Sequence, residues 1–234
     1  MFKGFLNLFL NAHCPLCQRS AEDLVCRYCR ENLLSCQRSR TEQFHHHGTY
    51  PLLLWGKYDY SLKRAIAAFK YENKPALGEL LGEWLAEAWH ELGLASYHKY
   101  SKPPLTVLPI PLHPAKLKQR GFNQAAIIAH RFAQMHNYRY DAEGLIRVKS
   151  TQPLFELNLS QRQQEMASAI KIGHRLQAMP SSKKNSPIII VDDIYTTGTT
   201  VETAIKSLTA SGFKVAAIVA IASSKQDLDS TYKP

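Results

Sequence analysis

No run in this chain approaches the roughly 18 consecutive apolar residues that a membrane-crossing helix needs, so an integral membrane protein is not expected. No block repeats at a fixed period, which sets aside solenoids and propellers. A GxxxxGKS or GxxxxGKT loop is missing as well, which disfavours a nucleotide-driven motor. Cysteine is absent after residue 36: Cys14, Cys17, Cys26, Cys29 and Cys36 are all there is. A disulfide framework would be spread along the chain, and this one is not. The opening MFKGFLNLFLNAH lacks a small-residue cleavage site, and Asn7 breaks its apolar stretch, so no signal peptide is expected. Phe2, Phe5, Leu6 and Phe9 sit at helical spacing. They predict a short helix packed on the cysteine-rich segment, with a membrane-surface helix as the alternative.

Acidic residues are scarce, 19 against 29 Lys plus Arg, for a net charge of +10. The excess is uneven. Residues 101–150 hold eight basic side chains and two acids, so +6 of the +10 sits in that segment. Such a field attracts phosphate, as a nucleotide, a nucleic acid or an anionic lipid; the plain alternative is a solvated basic face. The 234 residues are 45% hydrophobic and 21% charged, a globular balance with room for one average domain and a small appendage.

The clustered cysteines read as CPLC and CRYC. A two-residue spacer lets both sulfurs of a knuckle face one ion, and Cys14, Cys17, Cys26 and Cys29 complete a tetrahedron. Soft thiolates suit zinc or an iron–sulfur centre. A closed four-thiolate site predicts structural zinc that stabilises folding; a redox protein is the weaker alternative. The clustering suits a metal in a reducing compartment, with four free buried thiols as the alternative. A cytoplasmic location is expected, with peripheral attachment at the inner face of the membrane as a variant. Cys36 is left over as a substitute ligand. His45, His46 and His47 are a weaker metal candidate, otherwise an exposed loop. The module is expected to span residues 1–48, and a second domain residues 49–234.

Further along, the pattern predicts helices over 61–71 and from Pro75 to a stop at Gly93, then a strand over 105–110. A basic loop is expected over 111–120, a helix over 121–135 and a short strand over 145–148. Residues 150–165 read as a mobile loop running into a helix, and 181–186 as a loop. Ile188 to Val191 is a β-branched run suited to a strand covered on both faces. A loop, a helix over 199–210 and a strand over 214–221 complete the pattern. Strands alternating with helices predict an α/β fold with a parallel sheet.

The most informative stretch is IIIVDDIYTTGTT, residues 188–200. A buried strand runs into Asp192 and Asp193, then a Thr/Gly turn, then a helix. Ligands gather at the carboxyl ends of strands in such sheets. The turn offers backbone N–H groups, hydroxyls and a helix N-terminus, the parts of a phosphate cradle, with Gly198 removing a Cβ where phosphate approaches. Carboxylates beside that cradle suit a ligand that also shows hydroxyls, or hold Mg²⁺. The combination predicts a ribose 5-phosphate site.

These thirteen residues resemble the phosphoribosyl pyrophosphate (PRPP) motif of type I phosphoribosyltransferases. The resemblance implies that Asp192 and Asp193 contact the ribose hydroxyls and that Thr196, Thr197, Gly198, Thr199 and Thr200 hold the 5-phosphate. Some purine-salvage members carry an acid where this chain has Thr196, which argues against that substrate class. The rest of the chain is similar to the ComF family, which joins a cysteine-rich zinc module to a phosphoribosyltransferase domain. The matching segments are CPLC with CRYC, Tyr58 through Lys70 and Tyr71, Leu108 to Leu112, Arg120 to Gln124 and Gln152 to Arg162. Lys116 and Lys118 stand where Arg is common, keeping charge but losing the bidentate fork.

The resemblance implies transfer from PRPP with release of pyrophosphate. Lys116, Lys118 and Arg120 would stabilise the charge growing on the leaving group, and Mg²⁺ would bridge pyrophosphate and ribose oxygens. Residues 150–165 would form a lid against water. No residue stands out as the base for an acceptor, and the catalytic residues and the acceptor stay open. The resemblance also implies a role in natural transformation, handling incoming single-stranded DNA with a competence helicase or recombination mediator. The alternative is a non-catalytic nucleic-acid-binding or adaptor protein that keeps the fold as a scaffold. Tyr97, Tyr100, Phe122, Tyr138 and Tyr140 lie near the basic segment and would stack bases or, more simply, pack the core.

Overall fold

The structure, a computed structural model, describes residues 13–95, 104–148, 169–180 and 184–224. In chain order the elements are α1 (Arg27–Leu34), α2 (Arg40–Gln43), β1 (Phe44–His47), β2 (Tyr50–Lys57), α3 (Tyr60–Tyr71) and α4 (Pro75–Glu91). Next come β3 (Thr106–Pro109), α5 (Pro114–Arg120), α6 (Gln124–His136), β4 (Arg139–Tyr140) and β5 (Leu145–Arg147). The last are β6 (Ile170–Ile172), α7 (His174–Gln177), β7 (Ile188–Tyr195), α8 (Thr199–Ala210) and β8 (Val215–Ser223).

Six strands form one sheet in the order β1-β2-β8-β7-β3-β4, while β5 and β6 pair separately. Every pairing in the large sheet is parallel except the β1–β2 hairpin. Helices cover both faces, which explains the unbroken apolar runs in β7 and β8. Ile189 and Val191 join the cluster built on α3, α4 and α6, whereas Ile188 and Ile190 join the one beneath α8 and β5–β6. Helix α4 lies close to α6. A Cβ on its Gly82 would sit 2.7 Å from the Ile128 carbonyl oxygen, so glycine is what permits the approach.

The cysteine-rich segment shares the first of these cores. Cys14, Cys26, Cys29 and Leu33 belong to the same buried cluster as Leu62 and Trp84, and Trp55 stacks on Trp84 at 5.2 Å. The expected boundary at residue 48 falls at Gly48, in the turn of the β1–β2 hairpin. Strand β1 covers only Tyr50 to Leu53 of β2. Beyond it, residues 36–38 take over: the Arg38 N–H donates to the Trp55 carbonyl at 2.9 Å, and the Lys57 N–H donates to the Cys36 carbonyl at 2.9 Å.

The alternation of strand and helix agrees with expectation for α3, α4, β3, α6, α8 and β8 to within a few residues. Three readings change. The basic segment is a helix, not a loop. His113 caps it by accepting from the Ala115 N–H at 3.2 Å, Pro114 opens it and Gly121 closes it at φ +82°. It has no buried residue, so no apolar face announced it. Strand β7 runs on to Tyr195, because β8 pairs with it as far as Ser223; the acidic pair therefore belongs to the strand. His45 to His47 form a strand rather than a loop. The N-terminal helix, the 150–165 segment and Tyr97 and Tyr100 lie outside the described residues, as does part of 181–186.

Candidate functional site: the corner between two strand ends

From β3 the chain moves outward to β4, and from β7 it moves the other way to β8. The carboxyl ends of β3 and β7 thus flank a switch point, where open α/β sheets leave a crevice. Helix α5 comes after one end and the Thr196–Gly198 turn after the other. The sheet itself brings the two predicted halves of the site together.

Asp192 and Asp193 end up in different company. Lys70, from the last turn of α3, pairs with Asp193 at 2.6 Å, both side chains about 15% exposed. The Asp193 N–H donates to the Asp192 carboxylate at 2.8 Å. Burial, and then the neighbouring Asp193 charge, push the Asp192 carboxyl well above the usual range; the backbone bond and Lys70 only partly oppose this. Burial lowers the Arg147 guanidinium of β5, and the Asp192 charge works against that. Lys116 is lowered by desolvation and by the charges of Arg147, Arg120 and Lys70. Lys70 and Arg147 thus act on the acidic pair, and Lys116 feels both of them together with Arg120. Arg120 also bonds Gln124 at 3.0 Å and lies over the exposed Tyr71 ring, 5.1 Å from its centroid. Lys118 is not part of this group: two residues along a helix turn it about 200° away from Lys116.

The turn is tight. Gly198 has φ +82° and caps α8. A Cβ there would lie 2.5 Å from the Tyr195 hydroxyl and 2.9 Å from the His47 ring. The glycine is thus demanded by protein beneath the turn, over and above any ligand above it. Thr197 and Thr199 share a hydroxyl contact of 2.8 Å, and the Thr199 N–H donates weakly to Thr197 Oγ1 at 3.4 Å. The next N–H groups, of Thr200 and Val201, have no intrahelical acceptor and stay available to an anion.

The second candidate centre is the cysteine cluster. The sulfurs of Cys14, Cys17, Cys26 and Cys29 all lie within 4.8 Å of one another, with Cys17 and Cys26 at 3.5 Å. A tetrahedral ion with bonds of about 2.3 Å needs sulfurs about 3.8 Å apart, so the set fits such an ion. Burial alone would raise the Cys14 thiol, yet backbone N–H groups of Cys26, Leu16 and Cys17 bring it down to about 6. Burial and the neighbouring sulfurs raise Cys29 far above its ordinary value. Four soft sulfurs converging at this spacing are a donor set made for a cation. Cys36 stays apart, its thiol against the carbonyls of Asn32 and Asp59. Among the described residues no histidine joins a metal-ligating group.

Two participants were only partly legible in the sequence. Lys70 ends an amphipathic helix and lies in a segment that resembles the ComF family, but nothing there pointed to Asp193 as its partner. His47 looked like one of three surface histidines, yet it bonds Tyr195 and Glu202. Of the aromatic residues, Phe122 stacks on Phe69, Tyr138 accepts from Trp89 and Tyr140 donates to the Ala126 carbonyl, so these three serve packing.

Comparison with known proteins points the same way. The family described as phosphoribosyl transferase domain matches residues 117–234, half of the chain. The chain is similar to Competence protein F of Haemophilus influenzae, 23% identical over 200 residues that cover 85% of this chain and 84% of the relative. Similarity to Competence protein ComFC of Streptococcus pneumoniae is 26% over 210 residues, covering 86% and 76%. DNA utilization protein YhgH of Escherichia coli O6:H1 is 26% identical over 98 residues, covering 42% and 40%. No described helix is long and apolar enough to cross a membrane. The parallel sheet, the acidic strand end and the turn that opens α8 thus meet a sequence match over half the chain: it belongs to the phosphoribosyl transferase domain family, in its ComF group.

Proposed function

We propose that this chain binds PRPP with Mg²⁺ at the switch point and acts in natural transformation, as the names of its relatives suggest. The observation that carries the reading is the acidic pair at the end of β7, met by Lys70 and Arg147, with Lys116 near both cations, and followed at once by a helix-opening turn. Asp192 and Asp193 accept hydrogen bonds from the ribose 2- and 3-hydroxyls. Those donors relieve the strain that burial puts on the Asp192 carboxylate. Backbone N–H groups and hydroxyls of Thr196, Thr197, Gly198, Thr199 and Thr200 hold the 5-phosphate. Mg²⁺ supplies charge neutralisation to the pyrophosphate. Lys116 and Arg120 face the charge that grows there as the C1–O bond breaks, and Lys118, turned away along the helix, adds only to the local positive field. The four cysteines hold structural zinc. Incoming single-stranded DNA, a helicase or a recombination mediator would be the macromolecular partners, in the cytoplasm or at the inner face of the membrane.

The test is thermal and calorimetric titration of the full chain with PRPP and Mg²⁺. Millimolar ligand raises the Tm by several degrees, as mass action requires. Joint replacement Asp192→Ala and Asp193→Ala abolishes the rise. A wild-type protein that shows no shift overturns the site assignment. Binding without pyrophosphate release, over a panel of acceptors, favours the adaptor reading.

A further inference from the structure

We propose that His47 is a positioning residue of the phosphate turn, holding its two ends from beneath; this rests on the reading of residues 196–200 as that turn. The residue ends β1, where exposed and half-buried positions alternate, and its side chain is 15% exposed. Its Nδ1 lies 2.7 Å from the Tyr195 hydroxyl and its Nε2 lies 2.9 Å from a Glu202 carboxylate oxygen. Tyr195 is the last residue of β7, immediately before the turn. Glu202 stands in the first turn of α8, just after it. One imidazole therefore bridges the residues on both sides of Thr196–Thr200, although it is 148 residues away from Tyr195 in sequence.

The bond pattern assigns the tautomer. A carboxylate only accepts, so Nε2 carries the hydrogen and donates to Glu202. In the neutral ring, Nδ1 then accepts from the Tyr195 O–H. The hydroxyl and the ring fill the space under Gly198, close enough that no Cβ fits there. Burying these groups fixes the backbone that carries the open N–H groups of Thr200 and Val201. A second effect is electrostatic. A carboxylate in the first turn suits the helix dipole but repels a phosphate arriving at the same place. His47 and Lys206, the latter at 3.1 Å, both engage Glu202 and draw its charge away from the turn. The hairpin thereby becomes part of the anion site without touching the ligand.

Binding should separate the turn from the rest of the pocket. Calorimetry with ribose 5-phosphate reads the turn, and calorimetry with Mg²⁺-pyrophosphate reads the basic side. His47→Ala weakens ribose 5-phosphate about tenfold, the loss of one charge-assisted bond and one neutral bond, and leaves pyrophosphate within twofold. His47→Gln, which keeps a donor near the Nε2 position, restores most of the affinity. Tyr195→Phe weakens ribose 5-phosphate too, and adds little to His47→Ala because both break one link. Unchanged affinity in His47→Ala overturns the proposal. So does an equal loss for both ligands, or a Gln variant no better than Ala, since each marks His47 as a packing residue only. If His47→Ala does not fold, the Gln and Phe variants carry the same comparison. A wild-type protein that binds pyrophosphate but not ribose 5-phosphate removes the turn reading itself, and that outcome is distinct from the others.

Discussion

The four clustered cysteines fall within sixteen residues, Cys14 to Cys29. The groups of the strand-end site come from α3, α5, β5, β7 and α8, with the β1 hairpin beneath its turn, spread from His47 to Glu202. One centre is local: two knuckles close on a point, and their spacing is the whole design. The other is topological: it exists only once strands far apart in sequence lie side by side. A local centre ought to fail all at once when one ligand goes. A distributed one ought to fail in degrees, according to which contributor is removed.

The largest expected effect belongs to the local centre. Cys26→Ser, or chelation of the native protein, releases one metal ion per chain and lowers the Tm by more than about 10 °C. The loss should reach the sheet, because the cysteines share a buried cluster with Leu62 and Trp84. Metal analysis with thermal melting checks this, and a melt that ignores the metal would break the contrast. A smaller effect, of opposite sign, belongs to Asp192→Asn. It weakens PRPP binding by at least about tenfold, through the lost ribose contact. It also raises the Tm of the ligand-free protein by about 2–4 °C, because a carboxylate that burial disfavours is gone.

The pH dependence of that variant sharpens the point. Asp192 holds its proton more tightly in the fold than in the unfolded chain. As pH rises past about 3.8 the unfolded chain ionises first, so the stability contributed by the proton falls until the folded carboxyl ionises in turn. Asp192→Asn should flatten that decline in a series of melts. The smallest effect separates two lysines of one helix. Lys116→Ala weakens Mg²⁺-pyrophosphate about fivefold and Lys118→Ala by less than about twofold, since only Lys116 lies among the other cations. Equal losses would mean that a diffuse field, rather than placement, sets the affinity.

The same contrast explains how much the sequence could tell. CPLC and CRYC carry their geometry in their spacing, and IIIVDD followed by a Thr/Gly turn carries a strand, its end and a helix start. Helix α5 had its cap and its stop written as His113, Pro114 and Gly121, but every residue between faces solvent or the site, so periodicity was silent. In FHHH, histidine hides the alternation that valine or isoleucine would show. Lys70 and His47 give no local sign of what they bond. Their partners are set by which strand lies next to which, and no residue type at position 47 encodes the presence of Tyr195.

The sealing of the outer edge of β2 bears on how this chain survives in solution. The segments richest in β-branched and small apolar residues, β7 and β8, sit in the middle of the sheet. The rim strands are only four and two residues long. Residues 36–38 occupy backbone groups of β2 that another chain could otherwise pair with. Short or covered borders deny a template to intermolecular sheet growth. The cost is that these borders must stay closed: fraying of the segment just after Cys36 would uncover a long apolar strand, and it is there that clumping of a damaged molecule would begin.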